Sequence, residues 1–311
     1  MKVNVLAETN GLSKEEWLKL RKKGIGGSDV SSILGINKWK SELELWLEKT
    51  DQDCGLPVEN EAMMWGNIME PVIRKHFYDT TGRKVIEIKA IMQSAKYPFM
   101  IANVDGITVD DNGNPAILEI KTTSEYKRYD WEKDVPNYYK VQVQHYLCVT
   151  GLAKAYIAVL IGGNTFKVFE VNSDREVQKM LIALEADFWN KVEKRIRPEI
   201  DGSDAAKNLL DSMYKGGIEK QKILPDEVLD YINDYINASK EEDNAKANKQ
   251  KASNRIKEIM GDYDRGLCQG HTVTWKSVST DRFDSKAFKE ADPELYSKYV
   301  KPTTSRRFTI R

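Results

Sequence analysis

A mixed α/β fold, α+β in type, with a central mixed sheet flanked by helices, is what this 311-residue sequence predicts. Three observations carry it. Helical apolar spacing dominates residues 13–78. Period-two and β-branched runs dominate 85–171, with one helical stretch inside them. A long helical pattern follows at 174–197. Residues 202–311 then change character and read as a C-terminal extension, a helical hairpin or coiled-coil arm plus a small β element. The predicted division is therefore 1–201 and 202–311.

The elements follow in order. Ser13-Lys14-Glu15-Glu16 has the spacing of a capping box and opens a helix bearing Trp17, Leu18 and Leu20. Arg21-Lys22-Lys23 ends it, and the glycine-rich Gly24 to Gly27 leads to a second helix with Ser28 as the expected cap. Bare N–H groups at such a helix start favour an anion. Residues 1–40 carry eight Lys/Arg against four Asp/Glu, a local basic patch. Helices are expected at 41–49 and 60–78, the second interrupted or restarted at Pro71, beside Glu70. Strands are expected at 85–88, 99–109, 116–122, 155–161 and 165–171, with a helix at 138–149. Within the extension, 224–260 is helical and highly charged. Strands at 272–275 and 307–310 bracket a helical stretch at 285–299, and the end is basic, with Arg306, Arg307 and Arg311.

Composition narrows the function. Lys+Arg and Asp+Glu both total 48, so no overall charge draws the chain to nucleic acid or membrane, and any polyanion site must come from local clustering. Cys54, Cys148 and Cys268 are odd in number and far apart, which suits free thiols in a reducing compartment. His76, His145 and His271 are too scattered for a histidine metal cluster. The N-terminus lacks a signal-peptide layout, and the apolar run from Tyr146 to Gly163 is broken by Gly151 and Lys154. A cytoplasmic protein is expected.

The chemistry centres on Asn103-Val104-Asp105-Gly106 and Ala116-Ile117-Leu118-Glu119-Ile120-Lys121. On a strand, Ile117, Glu119 and Lys121 share one face while Leu118 and Ile120 share the other. Asn112-Gly113 suits a hairpin turn between the two pieces, which brings Asp105 beside Glu119. Two carboxylates with a lysine one step along suit a hard divalent cation and hydrolysis of a phosphate ester.

These motifs, with Trp17 to Leu34, Trp65-Gly66 to Glu70-Pro71 and Gln142-Val143-Gln144-His145-Tyr146, occur in the order seen in phage-type exonucleases. The chain thus resembles the lambda exonuclease and YqaJ group of the PD-(D/E)XK nucleases over its first two thirds. The resemblance implies a restriction-endonuclease-like core and a Mg2+-dependent exonuclease, with Mn2+ able to substitute. It would resect linear duplex DNA 5′ to 3′ in phage-type recombination. By position it implies Asp105, Glu119 and the Ile120 carbonyl as metal ligands with Glu70 in support, Lys121 as catalytic lysine, and Gln142 at the attacking water or the lysine. Arg21 and Ser28 match a 5′-phosphate pocket, and Lys127 stands where a further phosphate-binding arginine would lie. Asn103 replaces a phosphate-contacting serine, and Gln144 and Tyr146 join the DNA-facing set. Val104 replaces the proline of the class name. Also implied are a phage or prophage gene in a bacterial host, a homo-oligomer and a single-strand annealing partner. The alternatives are a structure-selective endonuclease on the same core and a non-catalytic DNA-binding module.

Overall fold

The computed structural model describes residues 3–52, 60–214, 216–218, 220–301 and 306–310. Cys54 and Arg311 lie outside these, while Cys148 and Cys268 are free thiols. The chain divides into two compact units, Met1–Tyr214 and Lys215–Arg311.

The first unit opens on a strand that sequence patterning did not isolate, β1 (Val3–Glu8). α1 (Lys14–Arg21) has the expected capping box: Ser13 Oγ accepts from the Glu16 N–H, and the Glu16 carboxylate accepts from the Ser13 N–H at 2.9 Å. α2 (Gly27–Ile33) is capped by Gly26 and not by Ser28, because the Asp29 carboxylate takes the Gly26 N–H at 2.9 Å and Ser28 falls inside the first turn. α3 (Glu42–Lys49) starts at Ser41, whose hydroxyl accepts from the Glu44 N–H. α4 (Glu61–Thr81) is capped by Asn60 and ends at Gly82 with φ 70°. It runs on through Pro71, with no new first turn there.

The expected strand at 85–88 is reduced to one bridge, Ile86 to Ile107, and the strand proper is β2 (Ala90–Ser94). The run at 99–109 divides into β3 (Ile101–Ala102) and β4 (Gly106–Val109), leaving 103–105 outside any strand. β5 (Pro115–Thr123), a 3-10 helix at Glu125–Trp131, α5 (Asn137–Thr150), β6 (Lys154–Ile161) and β7 (Thr165–Asn172) follow. α6 (Arg175–Glu193) is capped by Asp174 and stops short of Pro198, since Lys194 ends the helix and Arg195 turns to φ 56°. α7 (Asp204–Met213) belongs to this unit: Ala205 and Ala206 are buried and Leu209 and Met213 pack against the core, so the division falls at Tyr214 and not at 201.

Two sheets result. β1, β2 and β3 form an antiparallel one. The other has the order β4-β5-β6-β7, antiparallel at both ends and parallel between β5 and β6, the pair that α5 connects. A parallel pair needs such a crossover. The predicted alternation on β5 holds: Ile117 packs into the core shared with α5, whereas Leu118 and Ile120 face Ile73 and Phe77 of α4. No helix among the described residues is long and apolar enough to cross a membrane.

The second unit holds α8 (Val228–Met260), the hairpin of β8 (Arg265–Cys268) and β9 (His271–Thr274), and two short helices, α9 (Ser285–Ala291) and α10 (Pro293–Tyr299). The charged tract is one uninterrupted helix of 33 residues, the arm of the two alternatives. β9 pairs with β8 and not with 307–310, because a tight turn at Gln269-Gly270 makes the local partner available. The stretch at 285–299 splits at Asp292-Pro293, where Asp292 caps a new helix and proline occupies its first position.

Candidate active site

The break between β3 and β4 places Asp105 against β5, where its Oδ2 accepts the Ile120 N–H at 2.7 Å. Glu119 is buried, and its Oε1 accepts from Lys121 Nζ at 2.6 Å and from Gln142 Nε2 at 2.7 Å. Gln142 also donates to the Tyr146 hydroxyl at 3.1 Å, so α5 delivers both residues from one face, four apart. Glu119 Oε2 is buried with no hydrogen-bond partner. Glu70 lies across the cleft on α4, paired with Arg74, which also donates to the Asp105 carbonyl at 3.1 Å.

Charge is unbalanced here. Burial, then the neighbouring Asp105, pushes the Glu119 carboxyl up from 4.5 to about 8. Burial raises Asp105 as well, although Lys121 and the Ile120 N–H oppose it. Glu70 is pushed up to about 6 by burial and by Asp105. Burial works against the charge of Lys121, but Glu119 and Asp105 outweigh it and hold the ammonium above its ordinary value. Among the described residues no three His, Cys, Asp or Glu side chains form a closed ligand cluster. The site offers instead two carboxylates, the Ile120 carbonyl and Glu70 on the facing wall.

The sign of the pH dependence follows. A carboxyl whose folded pKa is raised binds its proton more tightly when folded, so its contribution is present below about 4.5 and is lost as pH rises through about 8. Without divalent cation, the wild type is therefore expected to lose Tm between pH 5 and 8. Glu119→Gln, which keeps the shape and removes the charge, should melt higher than wild type at pH 8, by a few degrees for each ~1 kcal/mol relieved. Scanning calorimetry in chelator checks this; equal melting of the two at pH 8 would contradict it.

Two hollows share Asp105, Glu119 and Lys121. The smaller, about 200 Å3, is lined by Arg21, Ser28, Asn103, Gln142, Tyr146 and Trp17. Arg21 donates to Ser28 Oγ at 2.8 Å, pairs with Asp29 at 3.4 Å and lies 4.9 Å from the Trp17 ring centroid. Asp29 is buried against Lys49 at 2.7 Å; burial is outweighed by Lys49 and Arg21, which hold it ionised. Asn103 Oδ1 is buried without a partner. Lys127 lines the larger hollow, with Glu70 and Tyr139, and its ammonium lies 4.8 Å from the Trp39 ring. Gln144 is a correction: it faces away, accepting from the Asp174 N–H at 3.0 Å and donating to the Asn172 carbonyl at 2.7 Å, because it stands two positions from Gln142 on the helix. Sequence reasoning missed Arg74, four residues after Glu70, and the Asp29–Lys49 pair under the glycine loop. The Arg74 spacing was a readable signal, while the 20-residue separation of Asp29 and Lys49 gave none.

Gly27 explains how α2 reaches the site. A Cβ there would lie 2.5 Å from Tyr146 Cε1 and 3.0 Å from the Gln142 carbonyl oxygen. Gly27→Ala must therefore push α2 off α5, at a cost of about 1–3 kcal/mol. Chemical denaturation should show that loss, together with reduced turnover; an unchanged midpoint and unchanged activity would mean the helices separate freely.

A four-stranded mixed sheet with Asp105 at the break before β4 and Glu119-Ile120-Lys121 on β5 is the arrangement that the sequence's resemblance to the PD-(D/E)XK group implies. The crystal structure of an alkaline exonuclease from Laribacter hongkongensis shares the fold, with TM-score 0.50 and 18% identity, covering 65% of this chain and 99% of that one. The chain belongs to the YqaJ family. Residues 16–153 match the YqaJ-like viral recombinase domain, and the uncharacterized protein YqaJ of Bacillus subtilis (strain 168) is 40% identical over 315 residues, 100% of this chain and 98% of that one.

Proposed function

We propose that the chain is a metal-dependent deoxyribonuclease, a 5′ to 3′ exonuclease acting on linear duplex DNA in phage-type recombination. Mg2+, with Mn2+ able to replace it, would be held by Asp105, Glu119 and the Ile120 carbonyl with Glu70 in support. The observation that carries this reading is Glu119: its Oε2 is a buried oxygen with no partner, on a carboxyl pushed up to about 8 by burial and by Asp105. Oxygen donors with uncompensated negative charge fit a hard cation. When bound, such a cation neutralises charge on the phosphate and acidifies a water.

The protein groups supply the rest. Lys121 stays charged beside Glu119 and faces the shared floor of both hollows, where it stabilises negative charge developing on the phosphate. Gln142 and Lys121 fix Glu119 Oε1 and leave Oε2 without a partner. Arg21 and Ser28 give the smaller hollow a fork of donors for a terminal 5′-phosphate, which supports the direction of attack. The family's description as a viral recombinase domain and the printed name of the Laribacter exonuclease support resection. A single-strand annealing protein is the proposed partner that receives the product strand.

End-labelled linear duplex, nicked circle and covalently closed circle, each incubated with and without Mg2+, test the reading. Loss of the 5′ label from linear duplex only, and only with Mg2+, is expected. Cutting of the closed circle would replace the exonuclease by a structure-selective endonuclease, and binding without cleavage would leave a DNA-binding module.

A further inference from the structure

α8 carries two separable patterns. One face, through Val228, Ile232, Ile236 and Met260, is partly or wholly covered. A second line recurs every seven residues, at Tyr231, Ala238, Ala245, Ala252 and Ile259, and every member is exposed, Tyr231 at 73% and Ile259 at 85%. A line in sevens drifts by only about 20° per repeat, which a left-handed supercoil absorbs. Residues 240–252 are exposed at every position, so the middle of the helix has no cover from its own unit.

The charge is segregated along the same helix. Residues 228–243 hold five acidic side chains and one lysine, and residues 244–257 hold five basic side chains and no acidic one. A parallel copy would set acid on acid and base on base, whereas an antiparallel copy sets Asp234 near Arg255 and Glu242 near Lys249, with like charge at the end pair Asp230 and Glu258.

We infer that α8 is the interface between two copies of this chain, paired antiparallel about a two-fold axis at Ala245. Tyr231 then faces Ile259 of the second copy, Ala238 faces Ala252, and Ala245 meets its own counterpart. The alanines let the two backbones approach closely, and the apolar ends close the seam. Glu242, which pairs with Lys246 at 2.8 Å within the helix, comes opposite Lys249 of the second copy. The surface is self-complementary, as a closed two-fold dimer requires. The overlap from 231 to 259 is roughly 43 Å long.

Register and direction are both testable on the full chain. In a Cys268→Ser background, since Cys268 is exposed, Ala245→Cys should form a covalent dimer on mild oxidation. Ala238→Cys alone should not, and Ala238→Cys with Ala252→Cys should. Sedimentation velocity should give a dimer for the parent and an increase in dissociation constant of at least about tenfold for Glu241→Lys with Glu242→Lys. Lys246→Glu with Lys249→Glu should weaken it likewise, and mixing the two charge-reversed proteins should restore a heterodimer. All these substitutions are at exposed positions, so the monomer fold is retained. The inference is overturned by a parent that stays monomeric at tens of micromolar, by assembly indifferent to charge reversal, or by Ala238→Cys cross-linking with itself as readily as Ala245→Cys. None of these readouts depends on nuclease activity.

Discussion

Asp105→Ala, Glu119→Ala and Lys121→Ala are each expected to lower turnover of linear duplex by at least about a hundredfold, the effect of losing one preorganised charge at a transition state. The three line both hollows, and Lys121 is braced by Glu119 at 2.6 Å and by the Tyr139 ring at 4.8 Å. The variants should differ in how they fail. The carboxylate variants should lose divalent-cation binding measured by calorimetry, whereas Lys121→Ala should keep it and lose only kcat. Circular dichroism and melting of each variant separate a chemical loss from unfolding. Substantial activity in Glu119→Ala, or full wild-type activity in excess chelator, would remove the basis of the proposed chemistry.

Arg21→Ala should slow degradation of 5′-phosphorylated ends by roughly 10- to 100-fold relative to 5′-hydroxyl ends. A charge-assisted hydrogen bond contributes about 1.5–3 kcal/mol, and each 1.36 kcal/mol is tenfold in rate. The side chain is oriented in advance, by Ser28 at 2.8 Å, Asp29 at 3.4 Å and the Trp17 ring, so its loss removes a positioned fork and not a mobile charge. Arg21→Lys should recover only part of the selectivity, because an ammonium cannot bind two oxygens in the same plane. Equal losses on both ends would make Arg21 a general backbone contact.

Much of the site was legible because its signals are local. Glu119 and Lys121 are two apart on one strand, Gln142 and Tyr146 four apart on one helix, and Asn112-Gly113 closes the hairpin between Asp105 and Glu119. What was not legible depends on partners distant in sequence. β1 is a strand because β2, more than eighty residues away, offers it an edge. The split of 99–109 arises because β3 serves one sheet and β4 the other, which no apolar pattern announces. Ser28 looked like a cap because its own residue type prefers that place, but Asp29 satisfied the donor first. Gln144 shares a motif with Gln142 and not a face, which the two-residue spacing already indicates, while the partners it turns to, Asn172 and Asp174, are distant in sequence.

The two oxygens of Glu119 are not equivalent, and this bears on ion size. Oε1 is saturated by Lys121 and Gln142, so only Oε2 is free to meet an ion. A carboxylate held in this way would offer a bound ion a single oxygen. Calcium favours crowded shells of six to eight oxygens, with carboxylates that often bind through both atoms, whereas magnesium keeps a tight octahedron completed by waters. At the proposed metal site, two hydrogen bonds on one side of a glutamate would thus act as a filter on ionic radius, set by the protein before any ion arrives.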